Sequence, residues 1–430
     1  MIRKKIRQYP LLQSSLIYTG CDAINKSVPF LILPVLSYHL STAEYGVIAN
    51  FNILISIFTI FITIGIDGAI SVNYYRLPPK ELETFIFNAI IVILTITGLL
   101  LLLPICFYRQ IFFLTKIPFA IQVDAIIISF GATLTAINLC LWRLEEKPFL
   151  FGIYEISQTT INIGISLTLV VIYGMGWVGR VDGMLIAASS FGLVSLFLLY
   201  KRGFLKININ KSYLREIILF GLPLIPHAMS FWIRSAVDRI LITKFIGESA
   251  TGLYATGFQF GILISFLTLS FNNAFSPYIF KKLSEGDSVM LNLNKKHLVK
   301  VTYICGGLLL VFCVVFTIFS NLILTYFFSS TYYNAKQFVF WAILSQTFQG
   351  LYLLFVNYIF FAKKTKLLAF ITFGSAILQV ILSLYLVPNY GAIGAAYSTV
   401  IVSFINFVAV ALYSIKVYSM PWFAKMKTVG

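Results

Sequence analysis

LREIILFGLPLIPHAMSFWIRSAVDRILITKFIG, residues 214–247, is apolar for most of its length yet carries His227, Arg234, Asp238 and Arg239. An aqueous loop has no use for so much Leu, Ile and Phe. A helix facing lipid does not tolerate the charges, since each costs roughly 2.5–3.5 kcal/mol at the bilayer centre on insertion scales. The pattern predicts a membrane-embedded helix with a polar face turned to a bundle interior or a wet cavity. Pro223 and Pro226 stand upstream of the charges. Each removes a backbone donor, so the helix can bend there.

The rest of the chain has the same character. Of 430 residues, 59% are hydrophobic and 11% charged, with a mean hydropathy of +0.91. Soluble domains carry about 25% charged residues. Apolar runs long enough to span a bilayer, about 20 residues, fall near 11–38, 45–70, 84–108, 120–142, 149–173, 180–200, 214–246, 252–280, 299–328, 336–361, 366–387 and 392–415. These predict an all-α membrane protein of about 12 transmembrane helices. The longest polar connection, KKLSEGDSVMLNLNKKHL at 281–298, is too short to fold alone.

The net charge of +17 suggests an anionic partner, but its distribution gives a simpler account. Twenty-four of the 32 Lys and Arg fall at the two termini and in the connections after even-numbered spans. The opposite connections hold four: Arg109, Lys116, Arg180 and Lys336. Positive charge collects on the cytoplasmic side, so both termini are expected there. The basic excess then reports orientation, not nucleic-acid binding. The five cysteines stand in apolar segments without a CxxC, and the three histidines are far apart. Neither disulfides nor a metal site is expected, and no cofactor.

The two halves resemble each other. Residues 40–77 lie on 246–283 without a gap at an offset of 206, placing Gly46 on Gly252, Asp67 on Asn273 and Arg76-Leu77 on Lys282-Leu283. GWVGRVDG (176–183) matches GAIGAAYS (391–398) at an offset of 215. The expected division is 1–205 and 206–430, each half holding six helices. An even number inserts both repeats in the same orientation, related by a pseudo-two-fold along the membrane normal.

Charges recur in the first span, where Asp22, Asn25 and Lys26 sit among apolar residues. Asp22 and Lys26 are four apart, as are Arg234 and Asp238, so each pair shares a helix face. Lys26 precedes Ser41 by fifteen residues and Arg234 precedes Gly247 by thirteen. At about 1.5 Å per residue the two cations differ in depth by only about 3 Å. Lys26 and Arg234 can frame an anion site or be neutralised by their own-helix carboxylates. Arg suits bidentate phosphate contact. Asp22, Asp67, Glu155, Asp238 and Arg239 are candidates for ion coupling or gating. Asn25, His227, Gln346 and Gln349 are candidates for the polar lining of a cavity. No GxxxxGK[ST], HExxH or GxSxG occurs, so no catalytic residue is predicted.

LPVLSYHLSTAEYGVIANFNI (33–53), GIDGAISVNYYRL (65–77) and FGLPLIPHAMSFWIRSAVDRILITKFIGESATGLYA (220–255) resemble polysaccharide flippases of the Wzx type. These belong to the multidrug/oligosaccharidyl-lipid/polysaccharide (MOP) exporter superfamily. The resemblance covers nearly the whole chain and implies two six-helix bundles around a cationic cavity. It implies movement of undecaprenyl-diphosphate-linked oligosaccharide units, of O-antigen or capsule type, across a bacterial inner membrane, driven by an ion gradient. It also implies membrane lipid, a glycan polymerase and chain-length proteins as partners. A cation-coupled drug exporter of the same superfamily, or a polysaccharide polymerase or ligase, is the alternative.

Overall fold

The computed structural model describes residues 10–285 and 288–422, apart from some side chains near the start of the first helix and that of Ser288. The described residues are helical throughout, without strands. The helices are α1 (Pro10–Ser37), α2 (Thr42–Thr63), α3 (Ile66–Tyr74), α4 (Pro79–Leu100), α5 (Leu102–Thr115), α6 (Phe119–Leu144), α7 (Pro148–Leu167) and α8 (Gly176–Lys201). There follow α9 (Lys211–Gly221), α10 (Leu224–Phe245), α11 (Glu248–Ser284), α12 (Ser288–Phe327), α13 (Lys336–Phe361), α14 (Thr365–Tyr390) and α15 (Ala392–Val417). Eleven segments are long and apolar enough to cross a membrane among the described residues, besides the first helix.

Local chemistry sets the boundaries. Ser41 and Glu44 form a capping box at the start of α2, which satisfies two amides that the helix leaves open. Pro79 and Pro148 sit at the first positions of α4 and α7, where a missing N–H costs nothing. Three expected spans are broken. The span at 45–70 divides at Ile64 and Gly65, 84–108 at Leu101, and 214–246 at Leu222 and Pro223. The polar connection at 281–298 is instead largely helical, as the ends of α11 and α12.

The chain forms two compact units, residues up to Gly252 and from Leu253 on. In the first, Phe51, Phe58 and Ile62 of α2, Ile66 and Ile70 of α3, Phe85 of α4 and Ile137 of α6 form one core. Close approach of α6 and α8 depends on Gly131, where a Cβ would strike the Ala188 carbonyl. In the second unit Ile279, Leu298, Leu354, Tyr358 and Trp422 make the core. Gln379 of α14 donates to Ser398 of α15 at 3.0 Å, and Ser383 bonds Ser398 at 2.7 Å. Such polar pairs join helices where burial in lipid offers no hydrophobic gain.

Candidate functional site

Two helix crossings of the first unit bring polar groups together. At one, the break between α2 and α3 nests on the break between α9 and α10. Ile64 and Gly65 both take left-handed backbone angles, with φ of 41° and 67°. Gly65 adopts this freely; for a β-branched residue such as Ile64 the conformation stores strain of order 1–3 kcal/mol. A Cβ on Gly221 would collide with the Ile64 carbonyl, so only glycine lets the two breaks meet.

Below this contact lies Asp67, in the first turn of α3. It lines two neighbouring cavities. One, of about 360 Å³, is lined by Thr63, Gly65, Thr133 and by Leu224 and Ile225 of α10. The other, of about 260 Å³, is lined by Asp67, Ser71, Cys140 and Arg143. Asp67 Oδ1 is buried without a hydrogen bond. Ser71 Oγ and Cys140 Sγ both turn to the Asp67 carbonyl, at 2.7 and 3.6 Å. Arg143 lays its guanidinium over the Phe151 ring, 5.3 Å from the centroid. Among the described residues Asp67 and Arg143 share a cavity but form no ion pair.

At the other crossing the starts of α2 and α11 meet. A Cβ on Gly46 would strike the Glu248 carbonyl, and a Cβ on Gly252 would strike the Thr42 carbonyl. The offset of 206 makes Gly46 equivalent to Gly252 and Thr42 to Glu248, so the contact is reciprocal. Asn50 Nδ2 reaches Thr243 Oγ1 at 2.7 Å and the Thr115 carbonyl at 3.1 Å, and Thr243 bonds Thr251 at 2.8 Å. Glu44, besides capping α2, accepts the Trp177 amide at the start of α8 at 3.2 Å. Tyr45 lies within electrostatic reach of both Arg239 and Arg180.

The residues singled out from sequence fall as follows. Asp22 and Lys26 lie on α1, and their side chains are outside the described residues. Asn25 accepts a hydrogen bond from Thr159 of α7 at 2.6 Å, and Glu155, four residues before Thr159, is half-buried. On α10, Arg234 is half-buried and Asp238 only 2% exposed. Arg239 is half-buried, its Nε without a hydrogen bond. His227 is exposed, edge-on to Phe231 at 5.2 Å. Gln346 and Gln349 are half-buried on α13, with the Gln346 stem against Gly261.

Two arginines escaped the sequence reading. Arg143 was counted among the basic connections, and nothing in its neighbourhood announces a shared cavity with Asp67. Arg180 was placed in an outer connection, but it stands in α8 and donates to Asn162 and Ser166 of α7 at 2.5 and 2.6 Å. The repeat held a signal here, since the matching residue of the second half is Ala395. At the basic end, Arg202 bonds Glu145 and Asn138. Burial lowers its guanidinium below the usual arginine range, and the Glu145 carboxylate opposes that shift.

The family model described as polysaccharide biosynthesis protein matches residues 11–283. The chain belongs to that polysaccharide biosynthesis family. The MatE family model matches residues 223–385. An uncharacterized membrane protein of Haemophilus influenzae is 28% identical over 367 residues, covering 84% of this chain and 86% of that one. Among solved structures, the lipid II flippase MurJ in an inward closed conformation aligns with a TM-score of 0.73 and 17% identity, covering 94% of this chain and 87% of that chain. An inward-facing multidrug resistance MATE family transporter of the MOP superfamily aligns at 0.71 and 14%, covering 91% and 94%. At these identities the likeness is one of fold. This member of the polysaccharide biosynthesis family is a multi-pass membrane protein with the fold of the MOP-superfamily transporters.

Proposed function

We propose that the chain is a flippase for undecaprenyl-diphosphate-linked oligosaccharide units of the O-antigen or capsule type. It carries them from the cytoplasmic to the periplasmic leaflet of a bacterial inner membrane, using an ion gradient. The observation that carries this is the charge held inside helices of membrane-crossing hydropathy: Asp67, Arg180, Arg234, Asp238 and Arg239. A diphosphate and its sugars need such a polar route, while the polyprenyl tail can stay in lipid. Membership of the polysaccharide biosynthesis family supports the cargo class.

In this account Arg234 and Lys26 hold the diphosphate, and both termini with the segments 201–213 and 281–298 are cytoplasmic. The repeats are 1–205 and 206–430, and the reciprocal Gly46 and Gly252 contact supports them. A carboxylate facing a cavity, Asp67, also suits a cation-coupled drug exporter. A deletion strain separates the readings. Lipid-linked single units accumulating on the cytoplasmic face support flipping. Units that reach the periplasm unpolymerised indicate a polymerase instead, and wild-type glycan with drug sensitivity indicates an exporter. For the site, Arg234→Ala should abolish transport in normally inserted protein. Arg234→Lys should keep part of it, since charge survives without the fork.

A further inference from the structure

We propose that Asp67 is the exchangeable proton site of this protein, and that Arg143 sets its affinity across the cavity they share. The proposal rests on the gradient-coupled reading above and identifies both the ion and its carrier.

Three observations converge on Asp67. First, its Oδ1 is buried without a donor. A carboxylate oxygen in that position loses its water and gains no hydrogen bond, at a cost that protonation relieves. Second, it lies beside the only strained β-branched residue at a nested helix break, Ile64, among the described residues. Strain at a helix discontinuity facing a cavity marks a place where small rearrangements change access. Third, it lines two neighbouring cavities, one bordered by Leu224 and Ile225 of α10 and the other by the end of α6 carrying Arg143. A proton on Asp67 can therefore exchange with water in these cavities.

The same surroundings argue against a metal cation such as sodium. A hard cation needs several converging oxygens. Here the candidate oxygens are divided, with Thr63 and Thr133 lining one cavity and Ser71 the other. The Arg143 guanidinium in the adjoining chamber repels a bound cation, but stabilises the carboxylate once the proton has left. Acidic groups on α9 and α4 and the Cys140 thiol are engaged elsewhere. Glu216 of α9 accepts from Asn73 at 2.9 Å. On α4, Glu81 accepts from Tyr213 and Glu83 pairs with Lys206. Cys140 of α6 points at the Asp67 carbonyl.

The test needs no transported cargo, so its failure is distinct from failure of the flippase reading. Purified full-length protein in lipid nanodiscs is treated with a hydrophobic carbodiimide, which attacks protonated carboxyls, and Asp67 modification is quantified by peptide mass spectrometry over a pH series. Asp67 should be labelled in its protonated form and lose labelling as pH rises, and sodium should leave the profile unchanged. Arg143→Gln should move the midpoint up by about one unit, since an opposite charge has been removed; Arg143→Lys should return it toward wild type. Protection of Asp67 by sodium at constant pH and ionic strength, or a midpoint indifferent to Arg143→Gln, overturns the proposal. If Arg143→Gln fails to fold, the sodium comparison on the unaltered protein decides.

Discussion

The two crossings of the first unit use glycine to opposite ends. At Gly46 and Gly252, continuous helices approach until each backbone blocks a Cβ on the other. The contact is reciprocal, closed, and sealed by the hydrogen bonds of Asn50, Thr243 and Thr251. At Gly65 and Gly221 the helices are interrupted, the contact is one-sided, and cavities of about 360 and 260 Å³ remain beside it. Continuous helices with small residues close a seam. Broken ones leave room for a carboxylate and for change. The first crossing therefore reads as a fixed joint and the second as the working part.

The comparison breaks most severely at the closed crossing. Gly46→Leu forces a side chain into the Glu248 backbone, and overpacking of this kind costs about 1–3 kcal/mol or more. Sharply reduced abundance and melting temperature are expected, and a normal melting curve would show that the crossing is not a joint. Thr243→Val comes next. It takes one bond each from the Asn50 amide, which keeps the Thr115 carbonyl, and the Thr251 hydroxyl, which keeps the Gly247 carbonyl, costing about 1–2 kcal/mol, visible as a lower melting temperature with transport retained in the folded fraction.

Gly65→Ala tests the open crossing. A left-handed alanine costs roughly 1–2 kcal/mol, but its Cβ meets only the flexible end of Leu224, at 2.7 Å. A small loss of stability with a larger loss of transport is expected. The reverse ranking would erase the distinction between the two crossings. Thr42→Ala removes one exposed bond to Ser249 and should change stability by less than about 0.5 kcal/mol.

Much of this architecture was legible in the residues. Hydrophobic runs longer than a bilayer is thick announce spanning helices, and Pro223 marks the α9–α10 break because proline lacks the amide a continuous helix needs. The repeat offset identified Gly46 and Gly252 as equivalents, although no one-dimensional pattern says that equivalents touch. The GID sequence at 65–67 suggests a turn, but ITIGID continues an apolar run and a single glycine is tolerated inside a helix, so the break at Ile64 is not placed by sequence. Asp67 was a candidate by its charge alone. That it shares a cavity with Arg143 is a tertiary fact, set by where α3 lies along α6, and positive-side counting assigns that arginine to the basic connections. Arg180 was misplaced for the same reason: a charge near a span end reads as solvated until a neighbouring helix supplies Asn162 and Ser166.

The most direct measurement is transport of a lipid-linked oligosaccharide by the purified protein in sealed proteoliposomes, with the sugar detected by an impermeant lectin or glycosidase on the far side. The account predicts movement that depends on an imposed gradient and is lost in Arg234→Ala and Asp67→Asn proteins that insert normally. Equal movement in protein-free vesicles, or undiminished transport by both variants with every ion gradient collapsed, would contradict it.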